Sequence, residues 1–204
     1  MENTLDEGVI KFQFKLTPMG DIPDKEYKDL EKWRAILFKM NLIGEYPIEK
    51  VGFGNISKRT MNNEFLITGT QTGKYPNLNG SHYTYVKKCE LKKMHIEAKG
   101  PIAPSSESLT HFSFYSRLSE VNFIFHIHSH SLWNHMIDKK YLSTSENTPY
   151  GTFEMAQEVE RITKNLTSGL ICMKGHQDGI IAFGKSADEV GQLILTLQRE
   201  FKKS

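Results

Sequence analysis

Apolar and polar positions alternate first at Ile10, Phe12, Phe14 and Leu16, with Lys11, Gln13 and Lys15 between them. A period of two predicts a half-buried strand, because successive side chains leave a strand on opposite faces. After Pro23 the period lengthens. Leu30, Trp33, Leu37 and Met40 recur at three- and four-residue spacing, which predicts a helix from Asp24 to about Leu42 stopped by Gly44. Short β-rich runs at 64–68, 83–89 and 94–98 predict strands. Ser105-Ser106-Glu107 starts a helix carrying Leu109, Phe112 and Tyr115, and Val121 to His128 predicts a further strand. A short helix follows through Trp133 and Met136, and Thr152 caps a helix from Phe153 to Leu166. Strands at 171–173 and 180–183 precede a last helix capped by Ser186, with Val190, Leu193, Ile194 and Leu197 on its apolar face.

Strands and helices are mixed throughout, and no Pro/Gly/Ser-rich linker divides the chain. The pattern predicts one α/β domain over residues 1–204, with helices packed on a central sheet and the strand directions left open. A chain of 204 residues buries a core without disulfides. The two cysteines, Cys89 and Cys172, suit a reducing cytoplasm rather than a disulfide scaffold. Lys and Arg number 26 against 24 Asp and Glu, a balance of +2 that gives no electrostatic case for nucleic acid. No apolar run approaches the ~20 residues that span a bilayer. Residues 1–7 have neither the basic nor the apolar region of a signal peptide.

Histidine distribution changes the picture. Three of the eight histidines fall in Phe123-Ile124-Phe125-His126-Ile127-His128-Ser129-His130. Residues two apart project from one face of a strand, so His126 and His128 point together while Phe125 and Ile127 enter the core. Two imidazoles so placed at the end of a buried strand can share a zinc or another first-row ion. The third ligand is either His130 or the distant His176, which stands in a turn between two strands. Three ligands along one extended strand would span about 13 Å between the outer Cα atoms at ~3.3 Å per residue. Metal–nitrogen bonds are only ~2.0–2.1 Å, which favours His176. His82, His95 and His111 have no such setting. Glu107, at a helix start, is either a capping carboxylate or a proton-transfer group for the metal.

Small polar segments complete the inventory: Gly52-Phe53-Gly54-Asn55-Ile56-Ser57, Thr68-Gly69-Thr70-Gln71-Thr72-Gly73 and Ser105-Ser106. Their glycines permit close backbone approach and their hydroxyls and amides bind oxygens, so they can cradle a phosphate or act as plain turns. None is a Walker motif or a dinucleotide fingerprint.

The order of these motifs resembles the class II aldolase/adducin head-domain family, whose best-known enzymes are of the L-fuculose-phosphate and L-ribulose-phosphate type. The landmarks are Gly54-Asn55-Ile56-Ser57, Leu66-Ile67-Thr68 with Thr72-Gly73, Pro104-Ser105-Ser106-Glu107, His126-Ile127-His128-Ser129, Pro149-Tyr150-Gly151-Thr152, and His176 followed by Gly179. The resemblance implies a three-layer αβα fold with a largely antiparallel central sheet, to which the strand near 9–16 is an N-terminal addition. It implies Zn2+ on His126, His128 and His176, with Glu107 as catalytic acid/base. It implies substrate-phosphate binding by Gly54, Asn55, Thr72, Gly73, Ser105 and Ser106, and a homotetramer. The implied activity is retro-aldol cleavage of a small sugar phosphate through a metal-stabilised enediolate. An epimerase or dehydratase of the same fold, or a non-catalytic adducin-like interaction domain, are the alternatives. Gln177 and Asp178 intervene before Gly179 where the family places histidine directly before glycine, and Tyr141 has no residue-by-residue match to the family's proton-donor tyrosine.

Overall fold

The computed structural model describes residues 7–203. Met1 to Asp6, on which most of the leader-peptide reading rests, lie outside them. The chain forms β1 (Gln13–Pro18), α1 (Asp24–Lys39), β2 (Gly44–Tyr46), β3 (Val51–Phe53), β4 (Asn55–Met61), β5 (Glu64–Thr68), β6 (Tyr83–Glu90) and β7 (His95–Gly100). It continues through α2 (Ser108–Arg117), β8 (Phe123–His128), α3 (His130–Asp138), α4 (Phe153–Ile162), β9 (Gly169–Cys172), β10 (Gly179–Gly184) and α5 (Ala187–Phe201).

Eight strands make one sheet in the order β1-β7-β6-β5-β4-β8-β10-β9. The β1–β7 pair is parallel, and the remaining pairs are antiparallel. The edge position of β1 leaves Phe14 exposed rather than half-buried. The antiparallel β2–β3 hairpin stands apart from this sheet.

Alternation along the central strands divides the core into two layers. Phe125 and Ile127 of β8 join Ile180 and Ala182 of β10 under Leu30, Trp33 and Leu37 of α1 and Val190, Ile194 and Leu197 of α5. Ile124 of β8 and Ile181 and Phe183 of β10 face the other way, under Leu109 and Phe114 of α2 and Met155 and Val159 of α4. Helices thus cover both faces of a mostly antiparallel sheet, the three-layer arrangement that the motifs imply.

Two differences from the sequence pattern bear on the site. Helix α1 ends at Lys39 because Asn41 turns left-handed (φ 56°), so Gly44 opens β2 instead of stopping the helix. The Gly-Asn-Ile-Ser segment reads as a turn by composition. In the fold, Asn55, Ile56 and Ser57 begin the central strand β4, paired with β8 through Asn55–His126 and Ser57–Ile124. Its polar residues are tolerated in a buried strand because one face looks onto the site.

Candidate metal centre

β8 lies between β4 and β10 at the centre of the sheet, and its last turn of alternation carries the two histidines. His126 is paired across the ladder with Asn55 and Ile181, His128 with Gly179. Both rings leave the face opposite Phe125 and Ile127 and are buried. His176 arrives from the turn between β9 and β10, tied by its N–H to the Met173 carbonyl (3.1 Å), while the Gly179 N–H returns to the His176 carbonyl (3.0 Å). Gly179 has no side chain for a packing reason. A Cβ there would lie 2.5 Å from His176 Cδ2 and 3.1 Å from His126 Cε1, driving the two rings apart. Gln177 and Asp178, the latter at φ 65°, lengthen the turn without displacing the histidine from the cluster.

Glu107 is the residue before α2, and its side chain makes no capping bond to the helix. The carboxylate points instead into the cluster, with Oε1 2.7 Å from His126 Nε2 and 3.5 Å from His176 Nε2. Ser105 Oγ accepts the Glu107 backbone N–H (3.3 Å), and Ser108 Oγ donates to the Ser105 carbonyl (2.7 Å), which fixes the turn that aims it.

Partners on the far side of each ring set the chemistry. The His126 Nδ1–H donates to the Ile180 carbonyl (3.2 Å) and His128 Nδ1 pairs with the Tyr46 hydroxyl (3.0 Å). A neutral imidazole that donates from Nδ1 presents a lone pair at Nε2. The Nε2 atoms of His126 and His128 are 2.9 Å apart, and those of His128 and His176 are 3.1 Å apart. Ring nitrogens converging at that range repel one another unless a proton or a metal ion lies among them. Both Glu107 carboxylate oxygens are buried without an aligned hydrogen bond, despite the close approach to His126. Glu107, His126, His128 and His176 offer ligand atoms all within 4.8 Å of one another. Edges of a tetrahedron with bonds of ~2.0–2.1 Å are about 3.3 Å, so these four groups fit a small divalent ion.

Charge follows the same geometry. Burial raises the Glu107 carboxyl pKa, but the His126 and His176 rings outweigh it and hold it well below the usual range. Burial and the two neighbouring imidazoles push His128 well below an ordinary histidine. Burial also opposes charge on His176, but the Glu107 and Glu7 carboxylates beside it prevail and raise it to about 10, so without a metal ion the cluster holds a proton on His176.

Two members of this constellation carry no signal in the sequence. Tyr46 comes from the β2–β3 hairpin, where it packs on Phe53 (4.6 Å between ring centroids), and Phe53 in turn packs on His128 (5.6 Å). Glu7, from the segment before β1, brings Oε2 to 3.2 Å from His176 Nε2 and 3.4 Å from His128 Nε2.

The small polar segments gather beside the cluster. Gly54, Asn55, Thr72, Ser105 and Ser106 line one small cavity together with Glu7 and Gly8. Gly73 is set back from it, and a Cβ there would strike the Gly44 carbonyl at 2.0 Å. Thr72 Oγ1 donates to the Gly69 carbonyl (2.8 Å), and the Asn55 side-chain oxygen has no partner among the described residues. His130 lies outside the cluster: it opens α3, is exposed, and pairs with Asp178 at 2.8 Å. Tyr141 is also outside, its hydroxyl donating to Glu200 (2.5 Å).

A three-layer α/β domain with three histidines and one carboxylate meeting at the end of a central strand defines a fold with a site able to hold a metal ion. The family described as Class II Aldolase and Adducin N-terminal domain matches residues 40–203, and the chain belongs to it. Solved structures agree on the fold. An L-fuculose 1-phosphate aldolase superposes with a TM-score of 0.65 at 15% identity, covering 89% of this chain and 86% of its own. A sugar-phosphate aldolase from Thermotoga maritima gives 0.63 at 16%, covering 88% and 96%. YgbL from Klebsiella pneumoniae, whose assignment spans aldolase, epimerase and decarboxylase, gives 0.65 at 17%, covering 88% and 87%. No curated protein matches the chain by sequence. Among the described residues, no helix is long and apolar enough to cross a membrane.

Proposed function

We propose that the chain is a zinc-dependent lyase of aldolase type that cleaves or forms a carbon–carbon bond in a small sugar phosphate. The observation that carries this reading is the buried convergence of the His126, His128 and His176 Nε2 atoms with the Glu107 carboxylate. A divalent ion held there supplies Lewis-acid polarisation of substrate oxygens. Glu107 is the group that moves the proton. It is held at a fixed helix start and has a carboxylate without an aligned hydrogen bond, so it can accept a proton from a substrate carbon and return it. The Ile180 carbonyl keeps the His126 tautomer that leaves Nε2 available, and the Tyr46 hydroxyl orients the His128 ring. No cation lines the adjoining cavity, so phosphate binding there rests on the backbone amides and hydroxyls of the Gly54, Thr72 and Ser105–Ser106 loops.

Purified protein, stripped of metal and reloaded with zinc, tests the reading against pairs of phosphorylated and unphosphorylated ketoses. The expected result is one zinc per chain, aldehyde release that disappears on chelation and returns with zinc, and preference for the phosphorylated member of a pair. Epimeric or dehydrated products would reassign the reaction within the family. A chain that takes up zinc and leaves every sugar unchanged would favour an adducin-like binding domain.

A further inference from the structure

Glu7 is close to the centre, yet its partners differ from those of Glu107. Glu107 meets the edge formed by His126 and His176, whereas Glu7 meets the edge formed by His128 and His176. The Glu7 separations of 3.2 and 3.4 Å are those of two ligands on one ion, being near the tetrahedral edge of about 3.3 Å. The carboxylate is buried, although Val9, two residues on, is 53% exposed. With a divalent ion in place of the His176 proton, the three imidazoles and Glu107 would leave one uncompensated positive charge in a buried site, and Glu7 supplies the missing negative charge.

The segment bearing Glu7 is seated by specific contacts. Gly8 has φ 71°, which favours glycine, and a Cβ there would lie 2.4 Å from the Gln71 amide nitrogen and 2.9 Å from Val51. The Tyr150 hydroxyl accepts the Val9 N–H (3.1 Å) and donates to the Val9 carbonyl (3.2 Å). Tyr150 also packs on His176, with centroids 4.5 Å apart. Glu7 and Gly8 therefore lie against the same loops as Gly54, Asn55, Ser105 and Ser106, and the cavity left between them is about 20 Å³. That is room for about one water, against the ~300–1,000 Å³ of an ordinary small-molecule pocket.

We infer that Glu7 is a displaceable ligand of the metal, carried on a strap that fills the site until an oxygen-donor substrate takes its place. The inference rests on the metal reading above. A site whose competent form is only partly populated binds its ligand more weakly by that fraction, so removing the internal carboxylate must tighten binding of an external chelating oxygen ligand. Loss of the same carboxylate must loosen the metal itself.

The test uses the full chain and variants Glu7→Ala and Glu7→Gln, the latter keeping the volume should Ala disturb the fold. Zinc affinity is measured by chelator competition, and acetohydroxamate, a bidentate oxygen ligand, is titrated into the zinc-loaded proteins. Both variants are expected to bind zinc about tenfold more weakly and acetohydroxamate about tenfold more tightly than the parent. Normal zinc uptake with acetohydroxamate affinity equal to or weaker than the parent's in both variants would overturn the strap alone. A parent chain that takes up no zinc would remove the metal reading and this inference together.

Discussion

His126 and His111 are both completely buried on the same side of the sheet, and their ring nitrogens meet opposite surroundings. His126 spends Nδ1 on a backbone carbonyl and turns Nε2 toward two other imidazoles and a carboxylate. His111, one turn into α2 from Glu107, spends Nδ1 on Ser57 Oγ (2.6 Å), which also bonds the Tyr115 hydroxyl (2.7 Å). Its Nε2 has no hydrogen-bond partner among the described residues. Burial alone therefore does not make a metal ligand. What distinguishes the cluster is that several ring nitrogens and a carboxylate aim at one point, with partners behind His126 and His128 that orient their rings. The Ser57–His111–Tyr115 chain orients a ring without such a convergence, and joins β4 to α2 as a structural bridge.

The sharpest way to break this distinction is to remove proton transfer while preserving shape. Glu107→Gln should retain the fold and, through the three histidines, take up zinc at reduced affinity, but at saturating zinc lower turnover on the sugar phosphate found by screening by ~10²–10⁴-fold. His111→Gln should leave turnover close to the parent's. Equal losses in the two variants would show that the bridge belongs to the catalytic machinery.

A smaller effect is expected one step outward. Tyr46→Phe removes the hydroxyl that orients the His128 ring and should weaken zinc binding by ~10–100-fold. Ser57→Ala, which removes the equivalent partner of His111, should leave zinc affinity unchanged. The comparison fails if chelator competition ranks Ser57→Ala with Tyr46→Phe.

The same contrast explains what the sequence discloses. His126 and His128 are legible because strand periodicity alone puts residues two apart on one face. His176 and Glu107 are legible as candidates because a turn and a helix start are recognisable locally, although only the fold brings them to β8. The two-layer core is likewise written in the alternation of β8 and β10. Tyr46 and Glu7 are not legible: they reach His128 from an isolated hairpin and from the segment ahead of β1, and neither has a local pattern that sets it apart. His111 is the instructive middle case. Composition assigns it no function, and its burial follows from its place on the inner face of α2. Its hydrogen bond to Ser57 depends on a strand that the Gly-Asn-Ile-Ser composition disguises as a turn.

Acid provides the finest test of the bridge. Burial holds His111 at about 3, against 6.5 for an ordinary histidine. Above pH 6.5 the ring is neutral in both folded and unfolded chains and contributes nothing to the pH dependence. Between 6.5 and 3 the unfolded chain binds a proton that the folded chain refuses, so stability falls as pH falls, by about 1.4 kcal/mol per pH unit from this group. The loss is complete only below the folded value. Urea unfolding of metal-free parent and His111→Gln, measured between pH 7 and 4, isolates this proton together with its coupling to Glu107 and His126. The variant should start less stable and converge on the parent as pH falls, because it lacks the group that acid penalises. Parallel profiles would mean that folded His111 accepts its proton readily, as it would if it were ion-paired with Glu107. The bridge would then be part of the charged centre, and the line drawn between the two histidine environments would have to move.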